Sequence, residues 1–308
     1  MKLKLLFLTI IIFGGFLRLY NLNWDSGQAF HPDERNIANA VAKIQFFDQL
    51  DPQFFAYGGL LIYLYRVTAE ILVAITKQTS WISDWGSVSF IGRFYAAFFS
   101  TVTIYVMFLL GKRLFDKRVG LLAAFFTAFT VSFIQTAHFA VTESLLVFVV
   151  TLTALFSLHI FEHPSLKNHI KTGVLIGLAA AAKITGASLL IFPFAVYFIS
   201  QKKHMFIPIL VFVDLCVFTL FSPYTFLSWT KFLESMSYES GVVQGSLPVP
   251  YTLQFVGTAP YFFQIKNFFW QMGLVTVPAL IGFTLFIVFA IKKKKKTFIL
   301  FLSFPILY

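Results

Sequence analysis

The sequence predicts an all-α, polytopic membrane protein of about eight to nine transmembrane helices with interfacial helices in its first external loop. Three observations predict it. The 308 residues are 58% apolar and only 12% charged, with mean hydropathy +0.80, whereas an ordinary soluble domain carries about 25% charged residues. So little polar surface cannot cover a water-soluble globule, and so apolar a chain is not disordered. Apolar runs of about 20 residues recur; they are too long for barrel strands, and only helices or closed barrels satisfy their backbone in lipid. Short basic clusters separate the runs, as in cytoplasmic membrane loops. That distribution argues against a nucleic-acid partner for the net charge of +11. The single cysteine, Cys216, lies inside an apolar run, which excludes an intrachain disulfide and a cysteine metal cluster.

The elements follow in chain order. Lys2 and Lys4 precede an apolar stretch to Leu17. No small-x-small cleavage site follows, and Arg18-Leu19-Tyr20 extend the run, so it predicts an uncleaved first helix over 3–20 that starts in the cytoplasm. Residues 21–87 form a first external region, which holds Trp24, Trp81 and Trp85. Within it the run 58–76 carries Arg66 and Glu70 and is predicted to lie along the interface. If it crossed, Lys112, Arg113, Lys117 and Arg118 would face outward. Further spans are predicted at 88–111, 119–137, 143–160, 172–184, 185–201, 205–222 and 269–291. The stretch 172–201 must be a hairpin with its tip near Lys183-Ile184-Thr185-Gly186, because a single helix would place Lys292 to Lys296 outside. This arrangement keeps Lys167, Lys171, Lys202 and Lys203 on the inner side as well. Residues 222–268, rich in Tyr, Gly, Pro, Ser and Gln, form a second external region. The last apolar run, from Thr297, is too short to cross as a helix, so the chain is expected to be C-terminally truncated within a ninth helix. The whole of 1–308 reads as one transmembrane domain without internal repeats.

The sharpest local feature is Phe30-His31-Pro32-Asp33-Glu34-Arg35. After it Ile37, Val41, Ile44 and Phe47 recur at helical spacing, with Arg35, Asn39, Lys43 and Gln45 opposite, the pattern of an amphipathic helix on the outer surface. Pro32, Asp33 and Glu34 suit a first helical turn. A carboxylate held there also suits a general base. Glu143, in His138-Phe139-Ala140-Val141-Thr142-Glu143-Ser144, is either a helix-start acid capped by Thr142 or a second carboxylate facing Asp33 across a cavity. Arg18, Arg93 and Lys183 stand near the outer ends of predicted helices. Each alone fits snorkelling to headgroups; three at one level, against the positive-inside bias, together fit a phosphate. Small neighbours in Ala180-Ala181-Ala182-Lys183 permit close approach at Lys183. His31 and His138 with Asp33 and Glu143 lack close metal-ligand spacing. Asp214, mid-helix, would sit well below the outer face and is left out of the site. No phosphate-loop, ATP or Gly-x-Ser-x-Gly pattern occurs.

Several segments together resemble a known family. They are Gly15-Phe16-Leu17-Arg18-Leu19-Tyr20-Asn21-Leu22, His31-Pro32-Asp33-Glu34, Asp51-Pro52-Gln53-Phe54-Phe55-Ala56-Tyr57, Gly92-Arg93, Leu110-Gly111-Lys112-Arg113-Leu114-Phe115, Ala182-Lys183-Ile184-Thr185-Gly186 and Pro250-Tyr251-Thr252-Leu253-Gln254-Phe255. In that order they resemble membrane glycosyltransferases of the C-type fold that use polyprenyl-phosphate sugars, above all bacterial relatives of the protein O-mannosyltransferases and of the lipid A aminoarabinose transferase. The resemblance implies Asp33 as the catalytic acid–base residue and Glu34 as its neighbour in the acidic motif. It places Glu143 where relatives carry a second acid, often Asp. It makes Arg18, Arg93 and Lys183 candidates for the donor phosphate.

The expected activity is therefore hexosyl or pentosyl transfer, mannosyltransferase-like, at the outer face of the cytoplasmic membrane. The donor is a polyprenyl-phosphate sugar and the acceptor a protein, lipid or glycan hydroxyl, among membrane lipids. No nucleotide cofactor is expected, and a divalent metal is left open. Three rivals stand beside it. A lipid-linked sugar transporter or flippase would gather its charges near the bilayer midplane. An oligosaccharyltransferase-like enzyme would share the fold and add a large soluble C-terminal domain. A non-catalytic membrane protein would have no reason to set acids opposite cations at one level.

Overall fold

A computed structural model describes residues 2–200, 205–259 and 261–293. Lys202, Lys203, Lys294 to Lys296 and the final apolar run lie outside the described residues. Among the described residues there are helices and no β-strand. In order they are α1 (Lys2–Leu19), α2 (Pro32–Lys43), α3 (Gly59–Thr76), α4 (Ser80–Ser83), α5 (Trp85–Leu114), α6 (Lys117–Phe129), α7 (Val131–Thr136), α8 (Glu143–Glu162) and α9 (Leu166–Ala182). Then follow α10 (Ile191–Ser200), α11 (Ile207–Phe221), α12 (Tyr224–Leu227), α13 (Trp229–Gln244), α14 (Phe262–Met272) and α15 (Thr276–Lys293).

The main apolar core joins α2, α3, α5, α8, α9 and α10. Gly177 lets α9 lie directly on α11: a Cβ there would come within 2.6 Å of the Asp214 carbonyl oxygen, the small-residue contact by which helices approach in lipid. The hairpin break falls where the charge argument requires it. Lys183 is extended, with φ −154° and ψ 130°, and a 3₁₀ turn over Ile184–Leu190 leads into α10.

Two expectations are corrected, the span 119–137 and the place of Phe47. The span 119–137 is two helices, because Thr130 turns extended between α6 and α7. The Thr127 and Thr130 hydroxyls donate back to the carbonyls of Ala123 and Phe126, a habit that bends helices. The amphipathic stripe of α2 buries Ile37, Val41 and Ile44, but Phe47 lies beyond the helix end and is 92% exposed. Residues 222–268, expected as a second external region, are largely helical in their described part. Beside the shorter apolar helices Ile184–Ser200 and Ile207–Phe221, four described segments are long and apolar enough to cross a membrane by length and composition: Gly59–Thr76, Trp85–Leu114, Glu143–Glu162 and Phe262–Phe289. The first of these four is the run expected to lie along the interface. It packs on α2, α4, α5 and α9, with Arg66 turned inward to Glu70 and the Val41 carbonyl. Among the rest, α1 has 18 residues but carries Lys2, Lys4 and Arg18, and α11 has only 15 residues.

Candidate active site

The start of α2 sets the geometry. Pro32 opens the helix, and the His31 ring Nδ1 accepts the Asp33 backbone N–H at 3.2 Å. Asp33 and Glu34 are consecutive, so the helix points them about 100° apart. Glu34 turns into the protein. Asp33 turns outward.

Glu34 belongs to a sealed ionic node. All five N–H groups of Arg93 are used. Nε and one Nη2 hydrogen go to Glu34 at 2.8 and 2.7 Å; both Nη groups reach Asp25 at 2.8 and 2.6 Å; the remaining Nη1 hydrogen goes to the Leu22 carbonyl at 2.9 Å. The guanidinium also lies over the Trp24 ring, 5.1 Å from its centroid. Glu34 accepts the Ala140 backbone N–H at 2.7 Å, and Asp25 accepts those of Gly27 and Phe30. Arg93 and Glu34 are each 1% exposed. The hydrogen bond from Arg93 outweighs burial and holds the Asp25 carboxyl down to about 2. The node thus pins the first external segment, α2 and the turn before α8 onto α5.

Asp33 belongs to an open cluster. Its Oδ2 accepts the Tyr57 hydroxyl at 2.9 Å, and its side chain is 40% exposed. The Tyr57 ring faces the Lys183 ammonium, 5.4 Å from its centroid. Lys183 Nζ lies 3.6 Å from Glu143 Oε1. Asp33 and Glu143 line one pocket of about 420 Å³ together with His31, Ser132, Gln135, Thr136, Phe139, Val141 and Gln271. A strap stitches this cluster to the hairpin tip. The Gly58 N–H donates to the Ala182 carbonyl at 2.9 Å, and the Gly59 N–H donates to Ser222 Oγ at 2.7 Å. Only glycine fits at position 58, since a Cβ would lie 2.0 Å from the Ala181 oxygen. Further along the same loop Asp51 accepts the Ser228 hydroxyl at 2.9 Å, which ties the second external region to the first.

The six expected residues therefore divide. Asp33, Glu143 and Lys183 come together. Glu34 and Arg93 are corrected to the sealed node, where every Arg93 N–H is used and both Glu34 oxygens are engaged inside the protein. Arg18 is corrected as well. It is fully buried and donates to the Thr127 and Ala128 carbonyls at 2.8 Å, the Gly14 carbonyl and Ser100 Oγ. The break at Thr130 frees carbonyls at the end of α6, and a cation at a helix C-terminus satisfies them. Thr142 does not cap α8; its hydroxyl only approaches Glu143 at 3.5 Å. His138 faces the Ile134 and Tyr20 carbonyls with its two ring nitrogens. Among the described residues no three His, Cys, Asp or Glu side chains gather as a metal-binding group.

Two participants had no role assigned from sequence. Asp25 is marked only by the turn to Gly27, and Tyr57 by closing the segment 51–57 of the resemblance, just before the paired glycines that open α3.

Residues 75–229, half of the chain, match the family profile described as dolichyl-phosphate-mannose-protein mannosyltransferase. No curated protein matches the chain in sequence. Among solved structures, the apo oligosaccharyltransferase of Archaeoglobus fulgidus is similar with a TM-score of 0.66 at 14% identity, over 98% of this chain and 46% of that one. The protein O-mannosyltransferase Pmt1–Pmt2 complex of S. cerevisiae, bound to the sugar donor, is similar with a TM-score of 0.55 at 16% identity, over 75% of this chain and 34% of that one. The A. fulgidus oligosaccharyltransferase AglB, in complex with an inhibitory peptide and a dolichol-phosphate, gives 0.55 at 16% identity, over 93% and 37%. The chain thus spans less than half the length of each. The fold is the C-type fold of membrane glycosyltransferases.

Proposed function

Because this chain belongs to the dolichyl-phosphate-mannose-protein mannosyltransferase family, we propose that it moves a sugar from a polyprenyl-phosphate carrier to an acceptor hydroxyl at the outer face of the cytoplasmic membrane. One observation carries the reading: Asp33 and Glu143 line a single pocket, and Lys183 stands 3.6 Å from Glu143. An acceptor hydroxyl is a poor nucleophile and needs a carboxylate within hydrogen-bond reach. Asp33 has one oxygen on Tyr57 and the other available for that proton. As the acceptor oxygen bonds to the anomeric carbon, the bond from that carbon to the carrier's phosphate oxygen breaks and its electron pair leaves with the phosphate. A cation is needed where that negative charge develops, and Lys183, paired with the pocket's Glu143, is the candidate. The displacement is in line and inverts the anomeric centre. Ser132, Gln135 and Gln271 supply neutral hydrogen-bonding groups for sugar or acceptor hydroxyls. The donor bond already stores the energy, so no nucleotide is required.

The test is Asp33→Asn, assayed in membranes as release of polyprenyl phosphate from a panel of polyprenyl-phosphate hexoses and pentoses. Transfer is expected to fall about 10²–10⁴-fold at parental thermal stability, because Asp33 is half-exposed and outside the node. Turnover equal to the parent, or product of retained configuration, would sink the base assignment.

A further inference from the structure

Building on the transfer reaction proposed above, we propose that Tyr57 is the positioning residue that holds the Asp33 base and the Lys183 cation in register with each other. The two groups come from elements far apart in sequence, the start of α2 and the end of α9, and no described hydrogen bond or ion pair joins them directly. Tyr57 touches both. Its hydroxyl donates to one oxygen of Asp33 at 2.9 Å, and its ring face carries the Lys183 ammonium at 5.4 Å.

The single hydrogen bond fixes the rotation of a carboxylate that is otherwise half in solvent, and it leaves one oxygen free for the acceptor. The ring holds the ammonium by cation–π attraction, which guides the cation without capping its N–H groups. Tyr57 is itself held firmly. The next residue, Gly58, is hydrogen-bonded to Ala182, the neighbour of Lys183, and closes to a distance that admits no side chain. A shift of the hairpin tip therefore carries Tyr57 with it, and Tyr57 carries Asp33. Burial, the Asp33 charge and their hydrogen bond push the Tyr57 phenol well above its ordinary value, with Glu143 and Glu239 adding to the effect. The phenol thus stays protonated and acts as a donor, not as an acid or base.

The two contacts separate by mutation. Tyr57→Phe keeps the ring and removes the hydroxyl, so turnover is expected to fall about ten- to a hundredfold with the KM for polyprenyl-phosphate sugar unchanged. Tyr57→Leu removes both and should in addition raise that KM about threefold or more. Both variants, the parent and Asp33→Asn are measured in membrane vesicles by polyprenyl-phosphate release at varied donor concentration, with thermal unfolding beside them. Parental turnover in Tyr57→Phe, or an unmoved KM in Tyr57→Leu, overturns the proposal. So does a uniform loss in both variants that follows thermal stability, which marks a packing role. If Asp33→Asn is inactive while Tyr57→Phe is parental, only the Tyr57 role fails. If Asp33→Asn is active, or the parent turns over no polyprenyl-phosphate sugar, the transfer reading fails and takes this one with it.

Discussion

The protein holds two sets of two acids and one cation, and it holds them oppositely. Asp25, Glu34 and Arg93 are closed on each other, with every guanidinium N–H spent and almost no surface left. Asp33, Glu143 and Lys183 are each about a third or more exposed; the two acids line one pocket, and Lys183 is loosely paired with Glu143. The two sets meet at one peptide bond, between Asp33 and Glu34. What divides them is helical geometry and burial, not residue type. The comparison teaches that two consecutive acids can be set apart, one locked into the fold and one left open to a pocket. Saturation of hydrogen bonds tells which is which: a side chain with every polar atom satisfied inside the protein has nothing to offer a substrate.

The largest expected effect would break the sealed half. Arg93→Met leaves two buried carboxylates facing each other, and removing one partner of a buried ionic group costs about 3–5 kcal/mol. Thermal unfolding of the purified protein should show that loss, with expression reduced. Replacing the whole node, by Asp25→Asn, Glu34→Gln and Arg93→Met together, should recover most of it, because no uncompensated charge remains. An Arg93→Met protein of parental stability that has lost only donor affinity would return Arg93 to the phosphate.

Acid probes the same node more gently. Asp25 is held at about 2 in the folded protein, against about 3.9 when unfolded. A depressed folded value means that the contribution, on the order of 2 kcal/mol, is complete above about pH 4. It is then lost as pH falls through the window from about 4 to 2. The slope of stability with pH in that window should flatten in Asp25→Asn. A slope identical to the parent's would place the acid sensitivity elsewhere.

Much of this was legible from residues alone. Apolar runs and basic clusters gave the membrane class, Pro32 and its acids gave the start of α2, and the charge balance required the break that occurs at Lys183. The pattern failed where the deciding partner is remote. Nothing near Arg18 indicates that α6 breaks at Thr130 and frees carbonyls more than a hundred residues later. Nothing near Arg93 points to Asp25, 68 positions before it. Both arginines were therefore grouped with Lys183, which shares their charge and level but not their surroundings. Tyr57 was missed for the complementary reason. A lone aromatic before two glycines has no chemistry of its own until folding places a carboxylate at its hydroxyl and an ammonium over its ring.

The smallest effect sharpens the open half. Lys183 makes a loose, partly exposed ion pair, and such pairs contribute about 0–1 kcal/mol, so Lys183→Met should leave thermal unfolding nearly unchanged. Its expected cost is in donor use: turnover should fall about tenfold or more, because a cation is lost where charge develops on the leaving phosphate, and the KM for the already charged polyprenyl-phosphate sugar should rise with it, Lys183→Arg retaining most of the parental values. This is the reverse of Arg93→Met, in which stability goes first. Were Lys183→Met to unfold early and keep its turnover and donor KM, Lys183 would be a structural tie between the hairpin tip and α8. The open cluster would then differ from the sealed node in exposure only, not in purpose.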